Sequence, residues 1–485
     1  MAIPPEMLHL DPRVEGTLQE RIQQIVTAGI LTGRFKPGER LPSSRKLAEH
    51  LGISRITVTL AYTELVANDY LEARGRSGYF VSLTAPQLPD LRQSEPSADS
   101  EIDWNRRIGQ HFSGLSTLGR PADWQRFRFP FIYGQTDPAL FDHGNWRLCA
   151  IRALGVKDFD ALTADHYERD DPMLIDRIVS QILPRRGIAA RPEEVLLTMG
   201  AQNALWITAQ VLLTQRRKAA VEAPCYPGLR DILDQTRCHM VQVPVDGEGL
   251  PPDLLQGDED AVFITPSHQA PTGSTMPTER RRALLERAGR DDFLVVEDDY
   301  DFEMSFWRSP SPALKSLDAE GRVIYIGSFS KSIFPGLRLG YLVAPEPFIR
   351  EARALRALVL RHPPGHIQRT TAYFLSLGYY DAQLNRMSRA FKRRRLEMEE
   401  AIGREGLTIA GHGAQGGSSF WLRAPQGVDT RELAHTLRAR SVLIEPGSAF
   451  FNGEAPDHQH FRLSYSSIRS KMISEGIAEI GAALS

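Results

Sequence analysis

A lysine, two serines and an arginine lie close together in residues 327–341, "GSFSKSIFPGLRLGY". Lys331 carries an amine, and we expect nearby cations to favour its neutral form, which can attack an aldehyde to form a Schiff base. Ser328 and Ser330 supply hydroxyl groups and Arg338 a guanidinium, a set that suits a phosphate. A solvated loop with two surface cations explains the same segment, so the chemistry depends on what the rest of the chain provides.

A second cluster, "VVEDDYDFE", places acids directly after an apolar stretch. Asp298 and Tyr300 are two residues apart and therefore point to the same side of an extended chain. A buried carboxylate is costly unless it meets a cation. Facing a pyridine nitrogen, Asp298 would keep that ring protonated, and the Tyr300 phenol would reach a ring hydroxyl. An acidic loop that binds Mg²⁺, or nothing, is the alternative.

Two further polar clusters follow apolar stretches. In "TMGAQNALWITAQVLL" a strand is followed by a helix, so Gly200, Ala201 and Gln202 present backbone N–H groups where a phosphate can bind. Tyr226, in the Pro-flanked turn "EAPCYPG", can stack on a planar ring. An ordinary strand-to-helix turn and a packing tyrosine remain open as alternatives.

From about residue 126, apolar strands alternate with helical stretches. The strands are "EVLLTMG", "KAAVEAP", "AVFITPS", "FLVVEDD", "VIYIGSF" and "LGYLVAP". Near-continuous Val/Ile/Leu runs of this kind predict an α/β fold with a mostly parallel sheet that is covered on both faces. Ligands bind beyond the carboxyl ends of such strands, where the polar clusters lie. Shorter strands, "SSFWLRA" and "HFRLSYS", predict a small C-terminal subdomain.

Residues 17–83 have a different pattern. A helical stripe in "TLQERIQQIVTAGI" is followed by a short helix, "SSRKLAEHL", a turn, "GIS", and another helix, "RITVTLAYTELVAND". Two short strands around a Gly-rich tip then follow in "YLEARGRSGYFVS". Helix, helix, turn, helix and hairpin is the order of a winged helix-turn-helix.

We expect several side chains of such a unit to contact DNA. The first turns of the second helix of a helix-turn-helix enter the major groove. The N-terminus of the preceding helix can bind a DNA phosphate, and the wing can contact the DNA backbone or the minor groove. The expected contacts are Arg55, Thr57 and Thr59 with the cap Ser54, then Ser44 and Arg45, and finally Arg76. Residues 1–85 hold ten Lys/Arg against nine Asp/Glu, so a DNA-binding surface must be local. A winged helix that contacts protein is the alternative.

Length and composition limit the protein class. The 485 residues predict three segments: a domain at 1–83, a linker rich in Pro, Ser, Gln and Asp at 84–125, and a domain at 126–485. Net charge is −2, which excludes a polycation. The three cysteines show no metal-ligand spacing and fit a reducing compartment. Because of this cysteine pattern, we expect no metal site. No apolar run approaches a membrane span of about 20 residues, so we expect a cytoplasmic protein.

The strand-end clusters, in this order, closely resemble the fold-type I pyridoxal phosphate (PLP) enzymes of the aspartate aminotransferase family, over roughly residues 165–470. The resemblance implies that Lys331 forms the Schiff base with PLP, that Asp298 pairs with the pyridine nitrogen, and that Tyr300 contacts the ring 3-hydroxyl. Tyr226 corresponds to the ring-stacking aromatic residue. The phosphate cup corresponds to Ser328, Arg338 and the Gly200–Gln202 turn.

Two more positions follow from this resemblance. Arg462, in "FRLSYSS", matches the arginine that binds a substrate carboxylate, although a strand arginine in a surface ion pair would look the same. Aminotransferases usually carry Asn directly before a "PTG"-type turn, where it is hydrogen-bonded to the ring 3-oxygen. Ala270 occupies that position here, which weakens the case for efficient transamination and leaves the case for PLP binding unchanged.

The N-terminal segment 18–81, with its "LPSSR", "LGISR" and "RGRSGYFV" elements, resembles the winged helix of GntR-type regulators. A GntR-type winged helix joined to an aminotransferase-like domain resembles the MocR/GabR family of bacterial transcriptional regulators. That resemblance implies a head-to-tail homodimer that binds double-stranded operator DNA. It also implies sensing of an amino compound, such as γ-aminobutyrate or taurine, or of PLP itself, through aldimine exchange at Lys331. A working aminotransferase with an accessory DNA-binding domain remains the alternative.

Overall fold

The computed structural model describes most of the chain, namely residues 2–11, 13, 15–86, 102–113, 121–306, 311–411, 416–451 and 458–484. The chain forms two compact units, Met1–Gln110 and His111–Ser485. The division between them falls inside the predicted linker, of which residues 87–101 and 114–120 lie outside the described residues.

The first unit contains a three-helix core and a short hairpin. Its elements are α1 (Leu18–Leu31), α2 (Ser44–Leu51), α3 (Arg55–Ala67), β1 (Leu71–Ala73), β2 (Tyr79–Val81) and α4 (Trp104–Arg107). Thr17 and Glu20 form a reciprocal capping box that starts α1. The apolar stripe of α1, with Val26 at its centre, packs in one core with Tyr62 of α3. The predicted winged helix-turn-helix order is confirmed.

The second unit is built on two sheets and a short strand pair. Its strands are β3 (Phe129–Pro130), β4 (Val195–Thr198), β5 (Lys218–Ala223), β6 (His239–Pro244), β7 (Ala261–Ile264), β8 (Leu294–Asp298), β9 (Val323–Ser328), β10 (Gly340–Val343), β11 (Thr408–Gly411), β12 (Ser419–Arg423), β13 (Val442–Leu443), β14 (Glu445–Pro446) and β15 (His460–Ser464). The pair is β3 with β13, which run parallel.

The helices of the second unit cover these sheets. They are α5 (His143–Ala153), α6 (Val156–Thr163), α7 (Pro172–Arg177), α8 (Ala201–Leu212), α9 (Pro227–Thr236), α10 (Thr278–Asp291), α11 (Glu346–Leu360), α12 (Gly365–Ser376), α13 (Tyr379–Arg404), α14 (Thr430–Ala439) and α15 (Ser470–Leu484).

The main sheet of the described residues has seven strands in the order β4-β10-β9-β8-β7-β5-β6. Neighbouring strands run parallel except β10, which is antiparallel to both β4 and β9. Alternate residues of β4 enter different cores: Leu196 packs with α8, α9 and α11, whereas Leu197 packs with α5, α7 and α12. Burial on both faces explains the near-continuous apolar runs, and the mostly parallel sheet is confirmed.

A smaller sheet, β11-β12-β15-β14, is antiparallel and lies in the C-terminal part of the chain. Its apolar face packs with α13, α14 and α15 in one core that includes Phe420, Leu437 and Ile477. The predicted C-terminal subdomain is therefore confirmed as part of an α/β fold.

A buried ion pair ties α11 to the edge strand β4. The Asp170 carboxylate accepts from Arg356 at 2.6 Å, from Arg353 at 2.8 Å and from the backbone N–H of Leu197 at 3.2 Å. Arg356 also donates to the Leu197 carbonyl at 2.7 Å and is fully buried. Asp170 thus neutralises a guanidinium that has little access to water.

Replacing Asp170 with Ala should lower the free energy of unfolding by about 3–5 kcal/mol, because the buried Arg356 charge loses its partner. Urea unfolding of the purified protein measures this loss. Asp165→Ala is the matched control, since the Asp165–Arg361 pair is about half exposed and its loss should cost no more than about 1 kcal/mol. Equal small losses in the two variants would contradict the role given to Asp170.

Candidate functional site

A cavity of about 810 Å³ opens at the carboxyl edge of the main sheet. The side chains and backbone that line it are those of Tyr133, Gly134, Gln135, Ala201, Gln202, Leu205, Tyr226, Ala270, Asp298, Tyr300, Ser328, Ser330, Lys331, Pro335, Gly336, Arg338 and Arg462. The structure therefore brings together ten of the residues proposed from the large domain, although they are spread over more than 260 positions of the sequence. Gly200, the remaining one, is the N-cap of α8 beside the cavity.

The reversed direction of β10 explains how the arginine reaches this edge. An antiparallel strand begins where its parallel neighbours end, so Arg338, two residues before β10, emerges beside the ends of β9 and β4. Its guanidinium donates to the Met199 carbonyl at 3.2 Å. Gly200 has φ +82°, and a Cβ added there would lie 3.2 Å from that guanidinium. A glycine at position 200 thus allows Arg338 to approach the first turn of α8, where backbone N–H groups are unused by the helix.

Asp298 ends β8 with a buried, unsatisfied oxygen. Its Oδ1 atom has no hydrogen-bond partner among the described residues. Burial, with the nearby Asp299 charge, raises the pKa of Asp298 to about 7, and Lys331 opposes that shift. A carboxyl group in this state gains most from a cationic N–H donor placed against it.

Asp299 points away from the cavity into a buried network. Its carboxylate accepts from Arg186 at 2.6 Å and from the Tyr325 hydroxyl at 2.8 Å. Arg186 also donates to the Ser267 hydroxyl at 2.8 Å. Burial alone would raise the pKa of Asp299, but the Arg186 charge and the hydrogen bonds from Arg186, Ser267 and Tyr325 together outweigh it and hold the pKa below its ordinary value. This network holds the backbone between Asp298 and Tyr300 in place. The two adjacent acids differ as a result: the pKa of Asp298 is raised, whereas the pKa of Asp299 is lowered.

Two cations share one aromatic ring inside the cavity. The Lys331 amine lies 4.2 Å from the centroid of the Tyr133 ring, and the Arg462 guanidinium carbon lies 4.2 Å from the same centroid. Gly134 makes room for the lysine, because a Cβ at that position would lie 2.9 Å from Nζ. Lys331 and Arg462 are therefore held close to the same ring, and both line the cavity.

Arg462 is paired, although not at the surface. Its Nε donates to Glu445 on the neighbouring strand β14 at 2.8 Å, and both side chains are about 95% buried. The ion pair considered as the alternative from the sequence therefore exists, but it is internal and lines the cavity. An anion entering the cavity would meet a guanidinium that is already held in place.

Tyr300, Tyr226 and Ala270 complete the cavity wall. The Tyr300 hydroxyl donates to the His268 carbonyl at 2.8 Å, which fixes the phenol at the base of the loop after β7. Tyr226 is the N-cap residue of α9 and is half-buried against the cavity. Ala270 presents only a methyl group, so it adds no hydrogen-bond donor where aminotransferases usually carry Asn.

Sequence reasoning missed the segment Tyr133–Gln135 and the acid Asp301. Asp301 lies behind Lys331, where its carboxylate accepts from the Ser418 hydroxyl at 3.0 Å, and burial raises its pKa to about 7 against the influence of Lys331. The segment is about 200 residues before Lys331 and follows no long apolar strand. Its only local signal is a glycine between an aromatic residue and an amide.

The first unit exposes a local set of cations around its helix-turn-helix. Ser54 caps α3 by accepting from Ile56 N–H at 3.2 Å, as predicted. Arg55 donates through Nε to the Ser44 hydroxyl at 3.3 Å, which ties the start of α3 to the start of α2. Arg45 and the wing residue Arg76 are exposed.

Two other side chains predicted to contact DNA are partly buried or already hydrogen-bonded within the helix. Thr57 is half-buried on one flank of α3, and the Thr59 hydroxyl donates to the Arg55 carbonyl at 3.0 Å. α3 also exposes two large apolar side chains: Ile56 is 71% exposed and Leu60 is 50% exposed. Sequence reasoning passed over them because it searched for hydrogen-bonding side chains.

Comparison with known proteins assigns each unit. Residues 18–81 match the family model "Bacterial regulatory proteins, gntR family", and residues 168–480 match "Aminotransferase class I and II". The chain is 57% identical over 484 residues to the HTH-type transcriptional regulator TauR of Rhodobacter capsulatus, covering 100% of both chains. It is 31% identical to the probable rhizopine catabolism regulatory protein MocR of Rhizobium meliloti, over 98% of this chain and 96% of that one. This chain belongs to the MocR-type GntR transcriptional regulators.

Solved structures support the same assignment for the larger unit of this MocR-type regulator. A kynurenine aminotransferase of Pyrococcus horikoshii in complex with PMP superimposes with a TM-score of 0.70 at 25% identity, covering 79% of this chain and 98% of that chain. PLP is the cofactor of this aminotransferase fold. In the part of the chain that the structure describes, no helix is long and apolar enough to cross a membrane, and no group of three His, Cys, Asp or Glu side chains is arranged to hold a metal ion.

The cavity of the MocR-type regulator fits PLP. The unsatisfied Asp298 Oδ1 suits a protonated ring nitrogen, and the Ser330 hydroxyl, also buried without a partner among the described residues, suits a phosphate oxygen. Arg338 and the first turn of α8 add positive potential on the phosphate side. Lys331 places an amine in the same cavity.

Asp298→Asn should make the cofactor-free protein less sensitive to pH. Because the pKa of Asp298 is raised from 3.8 to about 7 in the folded protein, this acid stabilises the fold most at low pH and loses that contribution as pH rises through about 7. Between about pH 5 and about pH 8, the unfolding free energy of wild type should fall by about 3 kcal/mol more than that of the variant.

Urea unfolding of the two cofactor-free proteins at each pH measures this difference. Asp176→Asn, at an exposed acid on α7, is the matched control and should track wild type. Parallel pH profiles for wild type and Asp298→Asn would show that folding does not raise the pKa of Asp298.

Proposed function

We propose that this protein is a PLP-dependent transcriptional regulator that senses an amino compound carrying an acidic group and changes its binding to operator DNA in response. The observation that carries the proposal is the position of the Lys331 amine and the Arg462 guanidinium, each 4.2 Å from the Tyr133 ring centroid in one cavity. An amine-accepting position and an anion-binding position are thereby held at a fixed spacing, which suits a short molecule with an amine at one end and an anion at the other.

Different residues of the cavity are assigned to different parts of PLP. PLP, when bound, supplies an electrophilic aldehyde carbon conjugated to an electron-withdrawing ring. Lys331 presents its amine beside Ser330, Asp298 provides the negative charge for the ring nitrogen, and Tyr226 offers an aromatic face. Arg338 holds the phosphate together with Ser328 and the Gly200–Gln202 turn.

The anion end of the effector is assigned to Arg462. Its pairing with Glu445 fixes the guanidinium, so a carboxylate or sulfonate finds a preformed partner and loses little entropy to side-chain ordering. Asp301, behind Lys331, supplies a carboxyl group that can accept a proton or pair with the lysine ammonium. These groups give the cavity a preference for amino acids over simple amines.

Regulation requires the effector to bind two states of the protein differently. An effector shifts the DNA-binding equilibrium only by its difference in affinity between those states. The winged helix at residues 1–83 reads the operator, the segment 84–125 connects it, and residues 126–485 bind the effector. In this arrangement Ser44, Arg45 and Arg76 hold the DNA backbone, while Arg55, Thr57 and Thr59 lie at the major groove.

Replacing Arg462 should weaken acidic effectors by about 2–5 kcal/mol while leaving PLP binding nearly unchanged. Since Arg462→Ala alone would strand a buried Glu445, the test variant is Arg462→Ala with Glu445→Gln. Titration of γ-aminobutyrate and taurine against the operator-bound protein gives the effector affinity, and PLP absorbance gives cofactor occupancy. Arg423→Ala, at the exposed end of β12, is the matched control.

Lys331→Ala serves as the second arm of this experiment. It should abolish the response to every amine and should remove the covalent pyridoxyl label that borohydride leaves on wild type, as located by peptide mass analysis. A label on a different lysine would overturn the assignment of Lys331. Equal losses of effector and PLP in the Arg462 variant would mean that this arginine is structural.

A second candidate function is an active aminotransferase with an accessory DNA-binding domain. The observation in its favour is that Lys331, Asp298 and Tyr300 all line the cavity. Ala270 argues against efficient turnover, because it offers no hydrogen bond to the ring oxygen. A single-turnover assay with a panel of amino donors separates the two functions, since a sensor binds the amine without releasing the oxo product.

We propose in addition that the regulator is a head-to-tail homodimer. The larger unit exposes a group of large apolar side chains on α5, α6 and the end of α11, and such groups mark subunit interfaces. They include Leu148, Ile151, Val156, Phe159 and Leu358, of which Val156 is 92% and Leu358 is 86% exposed. A dimer supplies two winged helices and therefore two operator half-sites.

Val156→Asp and Leu358→Asp should each shift the protein from dimer towards monomer, because a charge replaces apolar surface at the interface. Sedimentation equilibrium of the full-length protein at several concentrations measures the shift. Leu254→Asp is the matched control, at a leucine that is 53% exposed elsewhere on the same unit. A monomeric wild type, or variants as dimeric as wild type, would contradict this interface.

A further inference from the structure

The outward face of α3 is apolar at its centre. At about 100° per residue, the line opposite the buried side chains of this helix runs through Ile56, Leu60 and Thr63. Ile56 is 71% exposed and Leu60 is 50% exposed, one helical turn apart. The Thr63 hydroxyl donates to the Thr59 carbonyl at 2.9 Å, so its hydrogen is already used inside the helix. This line offers a partner mainly methyl and methylene groups.

Cations surround this apolar line. Arg55 precedes Ile56 on the first turn of α3, Arg45 and Lys46 are exposed at the start of α2, and Arg76 is exposed at the wing tip. A face with an apolar centre and basic edges is complementary to a surface that is anionic at its rim and carries apolar groups on its floor. The major groove of DNA has this form: phosphates border it, and the thymine 5-methyl group is the apolar feature of its floor.

We propose that Ile56 and Leu60 are specificity-determining residues that pack on thymine 5-methyl groups in each operator half-site. The inference rests on the proposed binding of operator DNA through the winged helix. Arg55, on the same turn as Ile56, contacts a neighbouring base or phosphate. The operator therefore carries 5-methylpyrimidines at the positions that face these two side chains.

The experiment begins with selection of binding sites from random-sequence DNA by the full-length, PLP-loaded protein. Each thymine of the selected site is then replaced in turn by deoxyuridine, which removes one methyl group and keeps every hydrogen-bonding group. Burying one methyl group should be worth about a three- to tenfold change in affinity, so wild type should lose that much at one or two thymines of each half-site.

Variants assign each methyl group to a side chain. Ile56→Ala should bind thymine and deoxyuridine equally at one position, and Leu60→Ala should do so at another, whereas Ile56→Val should keep most of the discrimination. Leu83→Ala, at a leucine of the same unit that is 66% exposed, is the matched control and should discriminate like wild type. Arg45→Ala should weaken binding to both bases by the same factor.

The outcomes separate this inference from the proposed function. A protein that selects no DNA sequence would overturn both. A protein that selects an operator but binds every deoxyuridine site within about twofold of the thymine site would overturn the inference alone, as would undiminished discrimination in both Ile56→Ala and Leu60→Ala. A change of oligomeric state in those variants, with methyl discrimination intact, would instead assign this face to contacts between copies of the chain.

Discussion

The Asp298 carboxyl group at the end of β8 is the constraint on which the larger unit depends. An acid buried at this position costs free energy until a cation pairs with it, and the surrounding fold places the Lys331 charge nearby but leaves Oδ1 without a hydrogen bond among the described residues. Asp299, the next residue, forms a buried ion pair with the guanidinium of Arg186. As a result, one acid of the pair is structural and satisfied, whereas the other faces the cavity with an open oxygen.

The topology of the sheet turns this local constraint into a complete site. Parallel strands bring Asp298 and Ser328 to one edge, and the reversed strand β10 brings Arg338 to the same edge from the opposite chain direction. The antiparallel C-terminal sheet contributes Arg462 and Glu445 from outside the main sheet. A ligand in the cavity would contact side chains from both sheets, which is what the proposed response to an effector requires.

Much of this arrangement could be predicted from the sequence, because buried strands have a strong apolar signal and their ends carry the polar clusters. The edge strand β6 was missed, since its half-buried side chains mix apolar and polar types. The reversal of β10 could not be predicted, because "LGYLV" reads the same for either strand direction. Tyr133 was missed for a third reason: only the folded chain places it between Lys331 and Arg462. On α3, Ile56 was missed because the sequence analysis looked only for side chains that can form hydrogen bonds with DNA.

The cations exposed around α2, α3 and the wing are few, and nearly as many acids as bases occur in residues 1–85. Such a domain releases few counterions on arbitrary DNA, so its background affinity for the genome is low. The protein then spends little time trapped on unrelated sequence and exchanges readily between sites. If the protein responds to an effector as proposed, base recognition and ligand state would then govern promoter occupancy, and promoter output would follow changes in metabolite concentration without a long lag.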